Sequence, residues 1–161
     1  MKRSLMISLL LVTCIGVSSH ILAQRQAVSG TEVTGTFHYN FKGKAKGSYN
    51  EILIQALGHN KLKVEMALTY PYRVNGEWSA NVGEAHGEAV IDGDTAIFTP
   101  DDLDNSTEEN KKCKITLNFS RPGTLVVTTE NNMECGFGLN VSADGTYQKV
   151  SGAKPKFGQN Q

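Results

Sequence analysis

The chain has 161 residues, with 16 Lys and Arg against 16 Asp and Glu, so its formal net charge at pH 7 is zero. A protein that binds duplex nucleic acid needs a clustered basic surface, and this balance argues against such a partner. The short basic run at Lys42, Lys44 and Lys46 is interspersed with small residues and is interpreted as a solvated strand edge or loop.

Residues 1–23 have the three-part layout of a secretory signal peptide. A basic start precedes an apolar run over residues 5–17, and cleavage is expected after Ala23. The apolar run is too short for a transmembrane helix, and no later stretch approaches about 20 apolar residues. The sequence therefore predicts a periplasmic or secreted protein without a membrane span. A lipoprotein anchored through Cys14 is the alternative, although the threonine before it matches a lipoprotein box poorly.

Two cysteines, Cys113 and Cys135, are expected to remain after processing. In an oxidising compartment such a pair in a small domain is most simply a disulfide. The bridge would tie a late β-hairpin to the last strand. A pair of free thiols is the alternative.

Short strand-like stretches follow one another from Glu32 to about Val150. Leu62, Val64, Met66 and Leu68 alternate with charged or small residues, as in a strand with one wet face.

Turn signals separate these stretches, at residues 92–94 and again at residues 120–123 inside a hairpin that starts at Cys113. No helical period extends beyond two turns after the signal peptide. About eight strands predict an all-β domain over residues 24–150, a small antiparallel β-barrel, with a β-sandwich as the alternative. Residues 24–31 are expected to be a mobile start and residues 151–161 a disordered tail.

The sequence contains no recognisable catalytic or metal-binding motif. The histidines after the signal peptide each stand alone in their segments: His38, His59 and His86. His86 has Glu84 and Glu88 on alternate positions and is the best cation candidate, but that spacing is permissive. The acidic stretch 101–109 lacks the glycine of an EF-hand loop and is interpreted as a solvated loop. We therefore expect no catalytic residue, metal or cofactor.

Residues 70–78 interrupt the strand pattern with aromatics, a proline and an Asn-Gly turn signal, which predicts a loop. Tyr70, Tyr72, Arg73 and Trp78 are residue types enriched at binding hot spots, so they are the candidate ligand-binding or partner-binding residues. The alternative is that Trp78 and one tyrosine plug an end of the barrel.

The second half of the chain resembles a known kind of domain. The pattern consists of Cys113-Lys-Ile-Thr-Leu-Asn-Phe, Leu125-Val-Val-Thr, Cys135-Gly-Phe-Gly-Leu-Asn-Val and Asp144-Gly-Thr-Tyr. It resembles the small β domain of secreted bacterial proteins grouped with periplasmic lysozyme inhibitors.

The resemblance implies a β fold and an exported, non-catalytic binding protein that blocks a lysozyme-type cell-wall hydrolase by inserting a loop into its cleft. No residue matches the inhibitory loops of that group, so no functional residue is carried over. A carrier with a small apolar molecule or lipid inside the barrel is one alternative, and an envelope interaction module is another.

Overall fold

A computed structural model describes residues 27–101, 103 and 113–158. The predicted signal peptide with Cys14 and most of the acidic stretch 101–109 lie outside these residues. The helical elements are a single turn α1 (Gly30–Val33) and two short 3-10 helices (Gly43–Ala45 and Asn132–Cys135). The strands are β1 (Gly35–Asn40), β2 (Tyr49–Gly58), β3 (Lys61–Val74), β4 (Glu77–Asp92), β5 (Thr95–Phe98), β6 (Lys114–Arg121), β7 (Thr124–Glu130) and β8 (Gly145–Ser151).

The eight strands form a closed antiparallel barrel in which each strand pairs with the next and β8 pairs with β1. The predicted all-β barrel is therefore confirmed. The two predicted turns are also observed, because Gly93 follows the end of β4 and Gly123 lies between β6 and β7, each with a positive φ. Closure pairs both lateral edges of the sheet, which an open sheet of the same strands would leave exposed.

Along the strands, apolar side chains at every second position point inward and fill the barrel. Leu62, Val64, Met66 and Leu68 are all at most 2% exposed, and between them lie more accessible residues of the outer face. Large side chains from other strands meet them inside, including Phe98 and Tyr147. A void wide enough for water would leave accessible surface on its lining, so these 0–2% exposures indicate a solid interior.

Tyr147 supplies the main polar group of this interior. Its hydroxyl donates a hydrogen bond to the Ala143 carbonyl, 2.9 Å away. Burial raises the pKa of the Tyr147 phenol well above its ordinary value of 10.0, because the low-dielectric interior disfavours the phenolate. The group therefore stays neutral over the physiological range.

The disulfide between Cys113 and Cys135 is present, with 5.0 Å between the Cα atoms. Each cysteine is only 2% exposed. The bridge joins the start of β6 to the 3-10 helix that follows β7, so it fixes the connection between β7 and β8 and not β8 itself. The residues immediately after Cys135 are thereby held against the barrel.

The predicted mobile start contains a short ordered element. Ser29 caps α1 through a capping box in which its hydroxyl accepts from the Glu32 N–H and the Glu32 carboxylate accepts from the Ser29 N–H. Val33 packs into the core at 2% exposure. The Lys149 ammonium donates to the carbonyls of Thr31 and Glu32, which ties this turn to β8.

The C-terminal segment, residues 152–158, also differs from the prediction of disorder. It packs against the outside of the barrel, where Pro155 is buried and the Phe157 ring lies 4.5 Å from the Lys63 ammonium. The segment has few apolar side chains, so its placement depends on features of the barrel wall that its own sequence does not reveal.

Candidate functional site: the projecting hairpin

Residues 70–78 form a hairpin of two strands and not the predicted loop. β3 continues through Val74 and β4 starts at Glu77, with Arg73 directly opposite Trp78. Asn75 and Gly76 form the turn with φ values of 53° and 89°, as a tight two-residue hairpin turn requires. In this region β3 pairs with β4 on one side and with no strand on the other. Pro71 is tolerated there because no neighbouring strand requires the N–H that proline lacks.

This hairpin extends beyond the barrel rim. β2 pairs with β3 only as far as Ala67, and β5 pairs with β4 only from Ala89. The six cross-strand pairs from Thr69 opposite Val82 to the turn are therefore paired only with each other. At about 3.3 Å per residue the paired segment is roughly 20 Å long. We call residues 69–82 the projecting hairpin.

The four predicted site residues lie on opposite faces of the projecting hairpin. Tyr70 and Tyr72 continue the phase of buried Leu68, so they lie on the inner face, the one continuous with the barrel interior. Arg73 and Trp78 lie on the outer face. The structure thus separates the predicted cluster into two pairs.

Each pair has its own contact. The Tyr70 and Tyr72 rings are stacked with centroids 6.3 Å apart and planes at 27°. The Arg73 guanidinium lies 4.5 Å from the Trp78 ring centroid, a cation–π distance, and its Nη1 donates to the Gly76 carbonyl at 2.7 Å. Arg73 is therefore folded over the turn, where these two contacts favour one orientation of its side chain.

The aromatic residues do not plug the barrel. Trp78 is 48% exposed and Tyr70 is 40% exposed, whereas a plug would bury most of its ring. Val74 and Val82 on the same hairpin are 51% and 67% exposed. The projection thus carries two exposed aromatic or apolar side chains on each face, and others, such as Val90 and Leu139, lie elsewhere on the described surface.

Two side-chain amides hold the base of the hairpin. The Asn50 Oδ1 accepts from the Thr69 backbone N–H at 2.7 Å, at the point where β3 leaves the barrel. The Asn81 Nδ2 donates to the Leu139 carbonyl at 2.6 Å. Neither residue carries a sequence signal for this role, because both contacts depend on the fold.

Glycines allow the loop after Cys135 to support the hairpin from the side. A Cβ at Gly138 would lie 2.6 Å from the Val82 carbonyl oxygen, and a Cβ at Gly83 would lie 3.0 Å from Val141 Cγ1. The first distance, to a backbone atom, is shorter than real Cβ contacts, so Gly138 is required for this approach; at Gly83 the Val141 side chain would have to shift. The disulfide, the loop and the hairpin base form one continuous support.

No metal centre is found in the part of the chain that the structure describes: no three His, Cys, Asp or Glu side chains there converge on one point. Glu88 is paired with Lys61 at 2.7 Å, and His86 lies beside it on the outer face of β4. His38 hydrogen-bonds to Glu51 through Nε2 at 2.8 Å and stacks on Tyr49. These contacts give His38 and Glu88 structural roles.

No helix among the described residues is long and apolar enough to cross a membrane. Comparisons of the chain with protein-family models, with curated proteins and with solved structures find no match.

Proposed function

We propose that this protein is a non-catalytic binding protein that works outside the cytoplasm and contacts a protein partner through the projecting hairpin. The observation that carries the proposal is a rigid, exposed aromatic and arginine tip on a barrel whose interior is filled. The signal-peptide pattern over residues 1–23 and the Cys113–Cys135 disulfide support the compartment.

The shape of the hairpin favours a partner with a cleft. Two strands about 5 Å apart form a narrow projection. Its length of roughly 20 Å allows the tip to enter a groove of the partner without contact between the barrel and the rim of that groove. The tip should lose little conformational entropy on binding, because Arg73 already contacts Gly76 and Trp78 in the free protein. A cleft-bearing enzyme fits this geometry better than a flat surface does.

The Arg73 guanidinium at the tip favours a lysozyme-type cell-wall hydrolase as the partner. Such enzymes place a pair of carboxylates in their cleft. Residues 69–82 contain one cation, Arg73, and one acidic residue, Glu77, and guanidinium is the side-chain group best suited to a carboxylate. Its bond to Gly76 uses one of five N–H donors.

The filled interior weighs against the alternative of a small apolar ligand carried inside the barrel. A carrier needs an internal cavity of a few hundred Å³, whereas large side chains that face the barrel axis, such as Phe98 and Tyr147, are 0% exposed. Residues 69–82, in contrast, have exposed aromatic side chains that a partner can contact.

The test is a titration of a lysozyme-type hydrolase with the mature, disulfide-bonded protein. We expect cell-wall hydrolysis to fall to a low plateau near one equivalent of protein. No loss of activity at a large excess would reject the hydrolase as partner. An apolar molecule found in organic extracts of the purified protein would favour the carrier alternative.

A further inference from the structure

Leu53 is buried although it lies on the outer face of the barrel. Its neighbours Ile52 and Ile54 are 0% exposed and belong to the core, so the alternation of the strand directs Leu53 to the opposite face. Leu53 is nevertheless only 8% exposed, and it is not part of the core cluster. Something outside the barrel must cover it.

The cover is the C-terminal segment. Pro155 is buried, and it lines the same surface cavity as Leu53. Further along, the Phe157 ring lies 4.5 Å from the Lys63 ammonium, and the Gly158 N–H donates to the Glu65 carboxylate at 3.0 and 3.3 Å. The segment therefore crosses the outer wall of β2 and β3, which we call the outer groove.

The charges of the segment and the groove are complementary. Residues 152–158 contain Lys154 and Lys156 and no acidic residue. Both lysines line the cavity that Glu51 also lines, and Glu84 joins Glu65 around Phe157. The exception is Lys63, whose ammonium faces the aromatic ring and not a like charge. The groove is thus suited to a basic segment that contains an aromatic residue.

The contacts of the segment can be released without opening the barrel. β8 ends at Ser151. Beyond it, Phe157 and Gly158 contact Lys63 and Glu65 on the outer face of β3, and the cavities beside the segment are lined by residues of β1 to β4. Gly152 follows, and glycine restricts the backbone less than any other residue. Loss of the segment would expose Leu53 and leave the core covered.

We propose that the outer groove is a second binding site, for an extended basic segment of another protein that carries a proline two residues before an aromatic residue. In the free protein residues 152–158 occupy the groove as an internal ligand and compete with that partner. The site is separate from the projecting hairpin, since its residues lie on β2 and on the barrel portion of β3 and β4.

The test uses the full-length chain with its own segment weakened by Pro155→Gly and Phe157→Ala. A peptide spanning residues 151–158 is titrated against this variant and against the wild type, with binding followed by calorimetry. We expect the variant to bind the peptide at least about tenfold more tightly, because the internal segment no longer competes at high effective concentration. The single variant Phe157→Ala repeats the test if the double variant misfolds.

Two controls decide the outcome. A peptide with the same two changes should bind at least about tenfold more weakly, and Leu53→Ser added to the weakened chain should have a similar effect. Equal binding of both peptides, or no binding of either, would overturn the proposal. It would also be overturned if the wild type elutes as a dimer that the weakened variant converts to monomer, because the occupant would then be a second copy.

Discussion

The amide oxygen of Asn50 accepts a hydrogen bond from the backbone N–H of Thr69 at 2.7 Å, at the root of the projecting hairpin. Asn50 is 3% exposed and, among the described residues, is the one buried residue with an amide or charged side chain. It lies on β2 beyond the last residue of that strand that pairs with β3. A side chain thus replaces a strand partner where the hairpin departs from the barrel.

Replacing Asn50 by alanine should lower the free energy of unfolding by about 1–3 kcal/mol, because the partly buried Thr69 N–H would lose its partner. The measurement is the urea midpoint of the oxidised protein. Asn40→Ala, at the exposed end of β1, is the matched control and should change stability by less than about 0.5 kcal/mol. Equal midpoints for the two variants would contradict the role given to Asn50.

Gly138→Ala should destabilise the protein by about 1–3 kcal/mol and loosen the hairpin base, because the new methyl group would lie 2.6 Å from the Val82 carbonyl oxygen. Urea unfolding gives the stability, and the rate of proteolytic cleavage within residues 69–82 reports on the base. Gly152→Ala has open space around its Cβ and should leave both quantities unchanged. If the two alanine variants behave alike, the loop does not support the hairpin.

Removing the disulfide with Cys113→Ser and Cys135→Ser should cost about 3 kcal/mol, since the bridge closes a loop of 22 residues in sequence separation. Proteolysis of the hairpin should also become faster, because the loop after Cys135 loses its anchor. Thiol titration of the unfolded wild type should detect no free thiol at Cys113 or Cys135. Detection of two would show that the bridge does not form.

Tyr147 should make the fold sensitive to alkali. Its pKa is raised by burial above 10.0, so below that pH both the folded and the unfolded chain keep the proton. As the pH rises past 10.0 the unfolded chain releases the proton and the folded chain does not, so stability falls with increasing pH.

The check is the urea midpoint of the wild type and of Tyr147→Phe on both sides of pH 10.0. The phenylalanine variant loses the bond to Ala143 and should be less stable by about 1 kcal/mol at neutral pH. It should also lose less stability between the two pH values. An identical decline in both proteins would assign the alkaline sensitivity to other groups.

The barrel could be predicted because its strands have one buried and one wet face, as Leu62 to Leu68 illustrate. The projecting hairpin could not, because both of its faces are accessible and its residues therefore do not alternate in polarity. Its Asn75-Gly76 turn was a hairpin signal, but the neighbouring Pro71 and the aromatics favoured a loop. The pairing of β3 with β4 in this region could have been predicted if Pro71 had been assigned to the unpaired edge of a strand.

The candidate site was predicted in composition and not in geometry. The predicted residues do lie on one projection: Tyr70, Tyr72, Arg73 and Trp78. Which face of a strand a side chain lies on changes with a shift of one residue, and a segment predicted as a loop has no assigned faces. The supporting contacts of Asn50 and Asn81 are made to residues distant in sequence. The burial of Leu53 under the C-terminal segment is likewise a property of the folded surface.

The most direct test of the proposed binding role compares Trp78→Ala with Val90→Ala as inhibitors of the proposed partner, a lysozyme-type hydrolase. Both side chains are exposed on β4, at 48% and 62%, but Val90 lies on the barrel wall and Trp78 on the projecting hairpin. In urea unfolding, the free energy of unfolding of both variants should stay within about 0.5 kcal/mol of the wild-type value. We expect Trp78→Ala to weaken inhibition at least about tenfold, a hot-spot effect, and Val90→Ala to inhibit like the wild type. Equal inhibition by the two variants would contradict the assignment of the hairpin as the binding surface.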